Sequence, residues 1–204
     1  MLEKLIVFVE EPSMEVALEQ LLPKMLIDTE FQIIRFQCKD DLLKNAPVRL
    51  KGYASFLPAT WRILVLVDRD NDNFSQLKNQ LELIASNAGL LSKTVAGKGN
   101  AFQIVNRIAI EELEAWFFGD WAAVKQAYPR VSATIPQKAK YRNPDAITGG
   151  TWEAIERVLK ESGYFSTGLR KLELARSVAE KMNPQANCSP SFNAFSDAIA
   201  AAMI

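Results

Sequence analysis

The chain of 204 residues contains no histidine. That absence removes the side chain whose ordinary pKa lies nearest neutrality and the commonest metal ligand, and with them Ser-His-Asp triads and zinc-water sites of the His type. Cysteine is almost as scarce: Cys38 and Cys188 stand 150 positions apart with no C-x-x-C, which excludes a disulfide framework and a Cys-cluster zinc site and suits reduced thiols in a cytoplasmic protein. Long hydrophobic runs are also missing. The first apolar stretch, Leu5 to Val9, is far below the roughly 18 residues that span a bilayer and has no signal-peptide cleavage pattern after it. No G-X-Y or heptad regularity, internal repeat or low-complexity segment is present, so fibrous classes fall away. Polar chemistry must therefore come from carboxylates, Lys, Tyr or the two thiols.

What is present is a globular composition, 49% hydrophobic and 24% charged, in a length that suits one domain or a domain of about 120 residues with a smaller appendage. The 24 Lys+Arg balance 24 Asp+Glu, but unevenly along the chain. Residues 1–120 hold 13 cations and 17 acids, a net of −4, and residues 121–204 hold 11 and 7, a net of +4. The sharpest basic interval carries Arg130, Lys138, Lys140 and Arg142 with no acid. An acidic half joined to a basic half suits a metal site beside a polyanion-binding surface; solvated faces that happen to segregate are the plainer reading.

Leu5–Val9, Phe31–Phe36 and Arg62–Val67 are apolar, β-branched runs that read as strands, the first and third buried on both faces. A fourth is expected within Phe102–Ile110, and 91–96 could add a short one. Apolar residues at helical spacing follow the first strand, with Ser13 as N-cap, and follow the third from Phe74 to a stop near Gly89. Lys39–Thr60 reads as an irregular excursion with one short helix. A helix is expected from Glu111 toward Tyr128, and three more over Trp152–Ser162, Thr167–Met182 and Ser191–Ile204. This alternation predicts an α/β fold with a mostly parallel central sheet flanked by helices over residues 1–128, and an all-helical C-terminal region over 129–204.

Asp68, Asp70 and Asp72 alternate just past the carboxyl end of a buried strand, where open α/β sheets bind ligands. Gathered carboxylates of this kind call for a hard divalent cation, Mg²⁺ or Mn²⁺; the structural alternative is a turn in which Asp68 and Asp72 cap the next helix. The turn lacks the Gly and the final Glu of an EF-hand. Glu10 and Glu11 end the first strand and Glu15 lies one turn on, so two acidic strand ends could meet across neighbouring strands. Glu111, Glu112 and Glu114 fit a helix start, and Trp116, Phe117, Phe118 and Trp121 fit packing better than base stacking. Lys98 in GKGN falls short of a Walker loop.

A strand ending in Glu followed by D-x-D at the end of a later strand resembles the Toprim fold, which is Rossmann-like, of topoisomerases, primases and the overcoming-lysogenisation-defect nucleases. More narrowly, VEEPSME (9–15), LVLVDRDND (64–72), RIAIEELEAWFFGD (107–120) and CSPSFNAF (188–195) resemble the Toprim-like family called domain of unknown function 4276. The family's first block reads V-E-G-x-[ST]-E. Matching its two Glu residues selects Glu11 and Glu15, with Pro12 on the Gly position; matching the V-E pair selects Glu10. The resemblance implies Mg²⁺- or Mn²⁺-dependent phosphodiester cleavage, with Glu11, Asp68 and Asp70 catalytic and at the metal, Glu15 and Asp72 supporting, and Glu10 and Glu114 as additional acids. Lys98, Arg130, Lys138, Lys140 and Arg142 would then contact the phosphates of DNA or RNA. It also implies a partner ATPase in phage defence and leaves self-association open. The competing reading is a catalytically silent Toprim-like module that serves an ATPase, which the Pro12 departure favours; a nucleotide phosphotransferase is a third.

Overall fold

The structure, a computed structural model, describes all 204 residues. Four strands, β1 (Lys4–Val9), β2 (Glu30–Arg35), β3 (Trp61–Asp68) and β4 (Ile104–Ala109), form a parallel sheet in the order β2-β1-β3-β4. Leu5 to Val9 and Ile63 to Val67 are almost wholly shielded from solvent, as continuous apolar runs in a parallel sheet require. β1 pairs in register with both neighbours, Val9 standing opposite Arg35 on β2 and Leu66 on β3. Nine α-helices accompany the strands: α1 (Pro12–Met25), α2 (Lys39–Ala54), α3 (Phe74–Asn87), α4 (Lys93–Ala96), α5 (Glu114–Gly119), α6 (Trp121–Ala127), α7 (Thr151–Glu161), α8 (Lys171–Lys181) and α9 (Pro190–Ala202). This is a Toprim-like α/β fold with a helical C-terminal region. No helix is long and apolar enough to cross a membrane.

Compactness divides the chain into two units that interleave in sequence: Met1–Glu11, Leu26–Ile108 and Asp197–Ile204 form one, Pro12–Met25 and Ala109–Ser196 the other. The first unit holds the sheet with α2 and α3. Leu42, Ala46 and Leu50 make the buried stripe of α2, whose 16 residues replace the irregular excursion with one short helix expected over Lys39–Thr60. Residues 91–96 form a bridge at Ser92 and the short α4 rather than a strand. Gly89, at φ 81°, terminates α3 as expected.

In the second unit α1 packs against α8, and the Lys24 ammonium donates to the carbonyls of Ala179, Glu180 and Met182 at 2.8–2.9 Å, occupying the orphan acceptors at the end of α8. The helix expected to run from Glu111 to Tyr128 is broken at Asp120. Asp120 Oδ1 caps α6 through Ala123 N–H, and its Oδ2 accepts from Asn183 N–H. Trp116 is fully buried, edge-on to Phe192 at 5.1 Å and tilted to Phe195 at 5.0 Å. Its indole N–H donates to Ser191 Oγ, and its carbonyl accepts from the Asn187 amide. Asp145 holds Ser189 Oγ and Ser191 N–H at the start of α9.

Gly119 sits where these segments press together. A methyl there would lie 2.1 Å from Asn187 Oδ1 and 2.9 Å from the Ser189 backbone nitrogen. Gly119→Ala is expected to lose ~2–4 kcal/mol in denaturant unfolding, because backbone has to move. Gly52→Ala in α2, where an added methyl meets nothing within 4 Å, is expected to gain ~0.5–1 kcal/mol.

Candidate metal and phosphate site

Because β2 lies on one side of β1 and β3 on the other, the chain leaves the carboxyl ends of β1 and β3 in opposite directions. The crevice at such a switch point is where open α/β sheets place ligands. Glu10 follows β1 there and Asp68 ends β3, and both are buried, with 4% and 5% of their surface exposed. The Asp68 backbone N–H donates to Glu10 Oε1. Burial pushes the Glu10 carboxyl up to about 8; the Asp68 N–H and the Lys39 charge oppose that rise, while Asp70 and Glu11 add to it. Glu10 is thus mostly a neutral acid at pH 7. Glu82, in the same unit, shows the opposite outcome. Burial would raise it too, but hydrogen bonds from Lys78, Ser92 and Asn106 outweigh burial and bring it down to about 2.

Past Asp68 the backbone turns sharply, with Asp70 in the left-handed region at φ 49° and Asp72 N–H bonded to Arg69 O at 3.0 Å. Asn73, not Asp68 or Asp72, caps α3 by accepting from Gln76 N–H, so the acids of the turn are not there to start that helix. Lys39, at the start of α2, reaches over them. Its ammonium lies 2.6 Å from Asp70 Oδ2, 2.8 Å from Asp72 Oδ2 and 3.2 Å from Arg69 O. Burial alone would lower the Lys39 pKa, but Asp70, Asp72 and Glu10 outweigh it and raise it. Sequence reasoning overlooked Lys39; its one visible signal is its place just beyond β2, at the carboxyl edge that also carries Glu10 and Asp68.

The structure therefore assembles Glu10, Asp68, Asp70 and Asp72 in one unit, with Lys39 among them. Glu11 is half-buried at the exit of β1, and its charge reaches Glu10. Pro12 is the first residue of α1, a position where its missing N–H costs nothing, and Ser13 lies inside the helix instead of capping it. Glu15, in the first turn of α1, and the buried Glu114, in the first turn of α5, belong to the second unit. There Glu112 caps α7, taking Thr151 N–H, Thr151 Oγ1–H and Trp152 N–H on one oxygen. Lys98 is exposed between α4 and β4. The basic interval, in the second unit, is a series of 3₁₀ turns. Arg130 binds Gly163 O and stacks on Tyr164, Lys140 sits over Tyr141, Arg142 reaches Gln137 O, and Lys138 is exposed.

No three acids are drawn together closely enough to enclose a metal ion. Mg²⁺ needs no such cage, since it keeps most of its waters and takes one or two carboxylates together with substrate phosphates. The carboxylates of Asp68 and Asp70, at and just past the end of β3, fit that requirement.

The Glu10 shift predicts a pH dependence in metal-free buffer. The native chain keeps this proton to about pH 8 and the unfolded chain releases it near 4.5, so the native state binds more protons between those values. Stability should fall as pH rises from about 4.5, the loss being complete above about 8. Glu10→Gln, neutral at every pH, is expected to flatten that decline by more than ~1 kcal/mol in denaturant unfolding between pH 5 and 9. An unchanged slope would assign the titration to another group.

No curated protein matches the chain. Among solved structures, the C-terminal region of the Burkholderia pseudomallei OLD protein aligns over 100% of both chains with a TM-score of 0.52 and 14% identity. That likeness extends to the fold. The C-terminal region of the OLD protein of Xanthomonas campestris pv. campestris aligns over 98% of this chain and 95% of its own, with a TM-score of 0.46 and 13% identity. The model of the family described as domain of unknown function (DUF4276) matches residues 9–200, and the chain belongs to that family.

Proposed function

We propose that the protein is a Mg²⁺- or Mn²⁺-dependent phosphodiester hydrolase, a nuclease or the nuclease subunit of a larger assembly. The observation that carries this reading is the neutral, buried Glu10 held by the Asp68 amide at the β1/β3 switch point, beside the acidic turn that holds Asp70. Asp68 and Asp70 would hold the ion, with the neutral Glu10 beside them as the acid. When bound, the ion would polarise the phosphoryl oxygens and lower the pKa of the attacking water without histidine.

The chain's own residues do the rest. Glu10 Oε1 is fixed by the Asp68 N–H, so the proton of the neutral acid belongs on Oε2, from which it can pass to a departing oxygen. Asp68, at the end of a fully buried strand, is positioned by the sheet rather than by a loop, which keeps the acid pair in register. For phosphates, a cleft of about 590 Å³ at the carboxyl end of β2 carries the guanidinium groups of Arg35 and Arg49 together with the amides of Gln37 and Asn45 and the Asp41 carboxylate, residues that bracket Lys39 in sequence. Guanidinium groups suit phosphate oxygens. A second reading, a metal-free module that binds a partner such as an ATPase, draws support from the Lys39 ammonium already seated on Asp70 and Asp72.

Cleavage of labelled DNA and RNA by the purified chain separates the readings. Activity is expected with Mg²⁺ or Mn²⁺, to vanish with EDTA, and to fall at least ~10²-fold in Asp68→Ala while circular dichroism and melting stay near the parent's. Cleavage retained by Asp68→Ala would remove these acids from the chemistry.

A further inference from the structure

The Lys39 side chain is 12% exposed and its ammonium rests on three oxygens, two carboxylate and one carbonyl, while the Asp70 and Asp72 side chains remain 48% and 51% exposed. Two carboxylates and a backbone carbonyl turned toward one point are a hard-cation donor set. Here the cation comes from the protein side of the turn and leaves the carboxylates open to solvent. Lysine is a compact point charge on a flexible four-carbon stem, so it can leave such a position without unfolding a strand. We propose that Lys39 is a tethered counter-ion that fills the cation position of the Asp70–Asp72 turn, so that a divalent ion engages Asp70 Oδ2 only by displacing the ammonium.

This inference rests on the metal-dependent reading and adds a competitor to it. Without an ion, Lys39 neutralises two acids that would otherwise repel each other across a sharp turn and holds that turn through Arg69 O. As an ion enters, the same contacts must break, and apparent metal affinity is reduced by the free energy of breaking them. Lys39 is accordingly a positioning residue that acts through Asp70 and Asp72.

Calorimetry of Mn²⁺ binding to the metal-free full chain tests this. Lys39→Met keeps the aliphatic stem and removes the charge. Lys44→Met removes the same charge from an exposed site on the same helix. Mn²⁺ is expected to bind Lys39→Met roughly three- to tenfold tighter than the parent, with Lys44→Met within about twofold of it. Equal affinity of parent and Lys39→Met overturns the role of Lys39 and leaves the metal reading intact. If neither protein takes up Mn²⁺, the metal reading fails and this inference with it. A second measurement needs no altered fold: in parent protein labelled with ¹⁵N-lysine, the Lys39 ammonium resonance is expected to move as Mg²⁺ is added. Mg²⁺ uptake with that resonance unmoved overturns the proposal.

Discussion

The site depends on β1 being buried on both faces between two parallel neighbours. With Val9 opposite Arg35 and Leu66, the strand can end in only one place. Its last apolar residue delivers Glu10 into the crevice where the Asp68 amide is the nearest donor. A carboxyl so placed loses most of its hydration and gains one N–H in return. That exchange does not sustain a full charge, which is why burial dominates and the acid stays neutral to about pH 8. Glu82 shows the same reasoning with the opposite balance: an ammonium, a hydroxyl and an amide converge on it, and it ionises far below its ordinary value. The difference between a structural carboxylate and a candidate acid is therefore a matter of how many donors the fold supplies, not of residue type.

Much of this was legible in the sequence. Uninterrupted β-branched runs such as RILVLV have no face to give to water, so a doubly covered parallel strand was their one stable setting, and the acids past its end had to lie at the carboxyl edge of a sheet. Which of Glu10 and Glu11 is the more deeply buried was not legible. It turns on which residue is the last to point inward, and a four-residue spacing motif carries no information about burial. The one short helix expected within Lys39–Thr60 is in fact the 16-residue α2, whose Leu42, Ala46 and Leu50 stand at helical spacing on either side of Pro47. A buried stripe can outweigh the hydrogen bond that one proline removes. Lys39 was invisible for a different reason. Its partners are about thirty residues away in sequence, and only the order β2-β1-β3, with a single strand between β2 and β3, brings the carboxyl ends of those two within reach of a lysine side chain.

The second unit gives a different meaning to the segments that looked most specific. E-A-W-F and S-P-S-F are two sides of one packed contact: Trp116 needs Ser191 and Asn187 for its polar atoms and Phe192 and Phe195 for its ring, and Gly119 leaves room for Asn187 and Ser189. Each half makes sense only against the other, so mutual packing accounts for the aromatic, serine and glycine positions of these segments. The acids of this unit have a similar fate. Glu112, Asp120 and Asp145 end on the backbone N–H groups that begin α7, α6 and α9, where they complement helix termini.

The segregation of charge along the chain acquires a narrower meaning from the same contacts. In the basic interval Arg130 and Arg142 spend hydrogen bonds on carbonyls of their own unit, and Arg130 and Lys140 lie on tyrosine rings. A cation already engaged in this way keeps its long-range field but has fewer donors left to place a phosphate oxygen, so a net of +4 supports attraction of a polyanion more than recognition of one. On the acidic side Lys39 has the converse effect. It places a positive charge inside the densest group of carboxylates, so the field at the switch point is less negative than the sequence count suggests. On the proposed metal-dependent reading, affinity for a divalent ion at that point would be set by a competition within the protein, and the absence of histidine leaves ammonium and carboxylate as the two groups that would decide it.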